Sequence, residues 1–179
     1  QRTQRDRALC SEEANLIMNS FEGEWAQGMS DNTLSAAVWT ILTYTGSLRG
    51  YETTRDLLKD LRKMLLEESR GGDITSIPLP LIGRFKQQTG ERGIVIPIVA
   101  ETRSGLKVLT WVTRLMNILI EKGYGDGWLF RRRNRKRARM VDYADIFFEK
   151  IEEVQRDRPD LIPPDVHVRE VYGMARSLR

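Results

Sequence analysis

Thr45-Gly46-Ser47-Leu48-Arg49-Gly50-Tyr51-Glu52, running on to Lys59-Asp60-Leu61, is the stretch on which the reading of this chain turns. Gly46 is placed to stop a helix, an arginine follows three residues later, a glutamate three beyond that, and then a new amphipathic run begins. An arginine in the elbow between two packed helices has its backbone fixed on both sides. It can aim a rigid fork of five donors at a single oxyanion. Glu52 stands where a charge-assisted hydrogen bond would hold that fork. An ordinary helix corner with a surface ion pair has the same residues and contributes little, so the elbow alone leaves both readings open.

Upstream of the elbow, Ser11 can cap a helix that carries Glu12 and Glu13 in its first turn, where the helix dipole favours acids. Leu16, Ile17, Phe21 and Trp25 follow at helical spacing, and Gly28 ends the run. Asp31 caps the next helix, whose apolar face is Leu34, Ala37, Val38, Ile41 and Leu42. Downstream of the elbow, Leu57, Leu58, Leu61, Met64 and Leu65 keep the helical period to about Glu68, and Gly71-Gly72 breaks it. The pattern then changes. Ile74 to Phe85 contains Pro78 and Pro80, which suits an edge strand. A turn at 87–93 and a returning strand at 94–99 complete a small antiparallel sheet over about residues 74–99. Helical spacing resumes from Leu106 to Ile120 and ends at Gly123. Another helix carries Tyr143, Ile146, Phe147, Ile151 and Val154 and ends at Asp157-Arg158-Pro159. The tail from Val166 reads as helical late on. The fold class is therefore α+β, mainly helical with one small antiparallel sheet. Residues 1–8 read as a linker remnant and 9–179 as the domain.

The chain has 179 residues, 40% hydrophobic and 30% charged, as expected of one globular domain. No apolar run approaches the roughly 20 residues a membrane-spanning helix needs, so no membrane partner is expected. Cys10 and His167 are each alone of their kind, which argues against a disulfide framework, a cysteine zinc site or a histidine metal site. No metal and no cofactor are expected, and a reducing intracellular compartment is. The net charge of +4 is unevenly spread: Arg131-Arg132-Arg133-Asn134-Arg135-Lys136-Arg137-Ala138-Arg139 places seven cations in nine residues. Such a run repels itself and is stabilised by a polyanion, usually nucleic acid. A solvated loop or a localisation signal is the plainer reading.

Arg49 in its elbow, Lys86 on the hairpin, and Arg176 with Arg179 near the end are residue types that together suit phosphoryl transfer. Arginines can hold the non-bridging oxygens of a phosphodiester while a lysine protonates the leaving oxygen. In this order the features resemble the catalytic domain of the tyrosine recombinase (phage integrase) family. Ala8-Leu9-Cys10-Ser11-Glu12-Glu13 is similar to that domain's opening, and Thr45-Gly46 with Arg49, Glu52 and Asp60-Leu61 to its first arginine box. Gly83-Arg84-Phe85-Lys86, a turn and Val95-Ile96-Pro97-Ile98 are similar to its lysine hairpin. Arg176-Ser177-Leu178-Arg179 is similar to its second box.

The resemblance implies Arg49 and Arg179 as catalytic arginines, Glu52 as acidic support, and Lys86 as the catalytic lysine, with Arg84 and Arg92 as competitors for that role. Arg176 stands where the family usually has histidine. It can hydrogen-bond a phosphate but cannot shuttle protons near neutral pH. The family's third box and nucleophilic tyrosine follow the second arginine, and Tyr44, Tyr51, Tyr124, Tyr143 and Tyr172 all precede it. The chain is thus expected to be a truncated or decayed recombinase piece, inactive alone. The intact family breaks and rejoins DNA through a 3′-phosphotyrosyl link, in site-specific recombination and in the integration of mobile elements. The partner implied is double-stranded DNA, with a homo-oligomer on DNA in the intact protein and a nuclear or nucleoid location. Arg84, Arg92, Arg131, Arg132, Arg133, Arg135 and Lys136 are the expected DNA contacts. Two further readings stay open: a non-enzymatic nucleic-acid-binding module built on the 131–139 run, and a helical interaction domain whose basic loop is an address.

Overall fold

Ser30 to Thr45 explain the centre of the molecule. In the computed structural model, which describes residues 7–83 and 93–173, helix α2 (Asp31–Thr45) buries Leu34, Ala36, Ala37, Val38, Trp39, Ile41 and Leu42 almost completely. A helix apolar on every side has to be surrounded. Here the neighbours are α1 (Ser11–Gln27), α5 (Val108–Glu121) and α6 (Val141–Asp157). Trp39 sits edge-on to Phe147 at 6.0 Å and tilted against Tyr143 at 6.1 Å. Each large side chain buried this way contributes on the order of 2 kcal/mol.

The helix starts lie one residue earlier than expected. Ser30, not Asp31, caps α2, its hydroxyl accepting from the Thr33 N–H at 3.2 Å. Cys10, not Ser11, precedes α1, and Glu13 turns back to accept the Cys10 N–H at 3.0 Å. That carboxylate is fully buried. It also takes the Tyr172 hydroxyl and lies 3.2 Å from the Arg7 guanidinium. Arg7 pairs with the backbone at Val171 and Gly173, so this part of the expected linker is pinned to the fold. The short helix α7 (Val168–Val171) ends there.

The helix expected from Leu57 to about Glu68 is present, and the stretch between it and the elbow is not helical throughout. A single turn, α3 (Gly50–Thr53), is followed by an extended segment and then α4 (Leu58–Ser69). The extended segment forms because its backbone pairs with two other parts of the chain, which a helix could not do. Strands β1 (Ser76–Leu81) and β2 (Ile94–Val99) pair antiparallel from Ser76↔Val99 to Leu81↔Ile94. The α+β class and the small sheet are as the sequence predicts. Pro78 faces Pro97 across the ladder; neither has an N–H to donate, so the pair relies on packing. Ile77, Leu79 and Leu81 supply it, buried beneath α4. Lys86, Arg84, Arg92, Arg176 and Arg179 lie outside the described residues.

Candidate nucleic-acid interface

The elbow is rigid because buried polar groups hold it from below. The Trp39 Nε1–H donates to the Gly50 carbonyl at 2.9 Å, and the Thr43 and Thr53 hydroxyls meet at 2.7 Å, both inside the core. Gly46 is required here: a Cβ would stand 2.9 Å from the Leu42 carbonyl and 3.2 Å from Ile98 Cδ1. The same closeness shows that β2 is packed directly on the elbow. Arg49 follows with its carbonyl accepting from the Glu52 and Thr53 N–H groups at 2.9 and 3.3 Å.

Glu52 does something different from what was expected. Its Oε1 accepts the Arg49 backbone N–H at 2.8 Å, the arrangement of a helix cap. It fixes the main chain from which the arginine projects, and forms no ion pair with the guanidinium. Arg49 itself is exposed and has no carboxylate partner among the described residues.

Residues 54–58 then form a junction. The Ile82 N–H donates to the Arg55 carbonyl at 3.0 Å, the Leu129 N–H to the Asp56 carbonyl at 2.9 Å, and the Leu58 N–H to the Gly127 carbonyl at 2.8 Å. One extended segment thus ties the elbow to the end of β1 on one side and to the loop before the basic run on the other. Gly83 has φ +111°, and a Cβ there would lie 2.5 Å from Arg55 Nη1. The Arg55 guanidinium therefore lies across the point where the hairpin turn departs, and 5.3 Å from the Tyr51 ring centroid. Arg137 reaches the same region. Burial first, and then the charge of Arg55, lower its guanidinium from the usual value. Asp56 is the anomaly: fully buried, with neither carboxylate oxygen hydrogen-bonded among the described residues, and held well above the usual carboxylate range by burial.

The basic run is a tight turn, more ordered than a solvated loop. Arg131 and Arg137 are paired across it. The Arg132 N–H donates to the Lys136 carbonyl, and the Ala138 N–H to the Phe130 carbonyl, each at 2.9 Å. Phe130 and Ala138 are buried and anchor its base. Arg135 occupies the left-handed position, with φ 66°. The cations divide by role. Arg131 is half-buried, its Nε and Nη2 donating to the Trp128 and Asp126 carbonyls at 2.7 and 2.9 Å, so it builds the loop. Arg132 lies 3.7 Å from Asp142. Arg135 stacks on Tyr124, 4.8 Å from its ring centroid, and Arg137 lies 5.6 Å from that of Trp128. Arg133 and Lys136 are exposed with no ion pair among the described residues.

The structure brings Arg49 and the described candidates of the basic run onto elements joined through one junction. Arg55 and Arg137 belong to that junction, and sequence reasoning did not single them out. No local signal marked them, because Arg55-Asp56 stands among other polar residues, Glu52-Thr53-Thr54 before it and Lys59-Asp60 after it. His167 is exposed just before α7, and Cys10 is exposed. Among the described residues no group of three or more His, Cys, Asp or Glu is clustered as metal ligands, and no helix is long and apolar enough to cross a membrane. No family model matches the chain, nor does any curated protein or any solved structure.

Proposed function

We propose that this chain binds the phosphate backbone of double-stranded DNA, and that it is a catalytic-domain piece of a site-specific tyrosine recombinase. The observation that carries the proposal is the elbow: Arg49 projects from a backbone locked by Glu52, Trp39 and the Thr43–Thr53 pair, and its guanidinium is exposed and without a carboxylate partner among the described residues. A guanidinium held this way loses little entropy on meeting a phosphate and can grip two oxygens at once. The contact between β2 and Gly46, and that between Arg55 and Gly83, bring the base of the hairpin beside the elbow. This supports the placement of a hairpin lysine, with Lys86 as the candidate, near the phosphate that Arg49 would hold.

In this reading Arg49 and Arg179 take the non-bridging oxygens, Arg176 adds a donor, and Lys86 gives a proton to the departing 5′ oxygen, with Arg84 or Arg92 as alternatives. The attacking tyrosine that the resemblance implies is none of the five in the chain. Arg133 and Lys136 would bind flanking phosphates, and Arg132 and Arg135 would join them by leaving Asp142 and Tyr124.

A second reading has its own support. The 131–139 turn is rigid and offers cations at its tip, as a non-enzymatic nucleic-acid-binding module would. Fluorescence anisotropy of a labelled duplex over a salt series separates the two. In the recombinase reading, Arg49→Ala weakens binding and flattens the dependence on salt by about one phosphate contact. If Arg49→Ala binds as the wild type does, while Arg133→Gln with Lys136→Gln abolishes binding, the module reading stands and the recombinase reading falls.

A further inference from the structure

Behind the basic turn lies a cleft of about 710 Å³, closed on one side by the first turn of α2 and on the other by the C-terminal end of α5. That volume falls in the range of small-molecule sites, roughly 300–1,000 Å³. Its floor is apolar, made by Leu115, Leu119, Leu129 and Ala138, with the Tyr143 ring beside them. Tyr143 is held by the rings of Trp39 and Phe130, at 6.1 and 5.9 Å between centroids, and shares the lining with Ser35. Asn32 lies at the edge with an amide donor and acceptor. The rim is cationic: Arg131, Arg132, Arg133 and Arg135, with Tyr124 among them.

The charges of this lining do not cancel. Its two carboxylates are already engaged, Asp31 by Lys122, and Asp142 by Arg132 and Arg139. Arg131 is bound by carbonyl oxygens, Arg135 by an aromatic face, and Arg133 has no ion pair among the described residues. Three guanidinium groups therefore border the cleft without matching negative charge. An anion belongs at that rim, and phosphate suits the forked donors best. A bare phosphate would leave the apolar floor and the Asn32 amide unused.

We propose that this cleft binds a nucleoside phosphate, with Arg133 and Arg135 holding the phosphate and the floor beside Tyr143 receiving the base. Arg131 is a positioning residue, since its bonds to the Trp128 and Asp126 carbonyls hold the rim in place. The site goes beyond the contact with duplex backbone argued above, because it accepts a base that a closed duplex keeps stacked. The ligand has two possible sources: a free mononucleotide, or one unit of a single strand.

The test is a calorimetric titration of the full chain with adenosine 5′-monophosphate, inorganic phosphate and a short single-stranded oligodeoxyadenylate. The expected result is one adenosine monophosphate per chain, bound about tenfold tighter than inorganic phosphate. Arg133→Gln combined with Arg135→Gln should cost about tenfold, and Arg131→Ala should do the same while also exposing the 126–131 amides to hydrogen exchange. Asn32→Trp, at an exposed position, should crowd the cleft and weaken the nucleotide while sparing inorganic phosphate. Competition between the oligonucleotide and the monophosphate would assign the site to a strand, and its absence to a free nucleotide; either supports the site. Nucleotide binding no tighter than phosphate, or insensitive to the paired substitution, overturns it. Duplex binding by Arg49→Ala reports on the recombinase reading alone, so each proposal can fail without the other.

Discussion

Asp56→Asn should make the protein more stable, and only above acidic pH. The Asp56 side chain is fully buried with neither oxygen hydrogen-bonded among the described residues, and burial raises its pKa well above the usual value. An unfolded aspartate titrates near pH ~3.9. Between that value and the folded one, the native state holds a proton that the unfolded state has released. Stability therefore falls as pH rises across this window and levels off beyond it. Below the window both proteins are neutral at position 56 and differ little. Within it the wild type holds a proton against the solvent pH, and above it the wild type buries a bare charge, whose uncompensated cost is about 3 kcal/mol. For a chain of this size, with roughly 2–4 °C per kcal/mol, the variant should melt about 6–12 °C higher at alkaline pH. Melting curves of both proteins from pH 4 to pH 9 make the measurement, and their difference isolates residue 56 from every other titrating group. A difference that stays flat with pH, or a wild type that is the more stable at pH 9, would refute the reasoning. Either would mean that the carboxylate has a partner.

Other substitutions probe the supports of the elbow and the loop. Glu52→Ala removes the acceptor for the Arg49 N–H and should cost about 1 kcal/mol, measured by urea unfolding, while also weakening duplex binding. Trp39→Phe leaves the Gly50 carbonyl buried without its donor and should cost about 1–3 kcal/mol before counting any loss of packing. Gly46→Val should push β2 from the elbow, because even a Cβ meets the Leu42 carbonyl and Ile98; increased amide exchange across β2 and a lower melting temperature are expected.

Periodicity made most of the fold legible. The apolar face of Leu34, Ala37, Val38, Ile41 and Leu42 marks a helix, though not its central place, and Gly28, Gly46 and Gly123 end helices where expected. Three things were hidden. The break between α3 and α4 depends on Asp56 and Leu57 pairing with Leu81 and Trp128, and such long-range backbone bonds leave no local trace. The role of Glu52 was also misjudged: spacing placed it near Arg49, but three residues at a helix start equally suits capping the backbone, and that interaction won. Seven cations in nine residues announced a charged surface. They did not reveal that Arg131 is spent on carbonyl oxygens, because charge in a sequence carries no direction.

The Arg7 strand-like contact with residues 171–173 has a consequence for how this chain can be rearranged. Its earliest and latest described backbones already lie within hydrogen-bonding reach, stitched by the buried Glu13–Tyr172 contact. A short tether could therefore join them, and new ends could be cut at the exposed Arg103-Ser104 turn with the helices left in their present order around α2. Between Arg7 and Gly173 the described backbone is almost a closed ring.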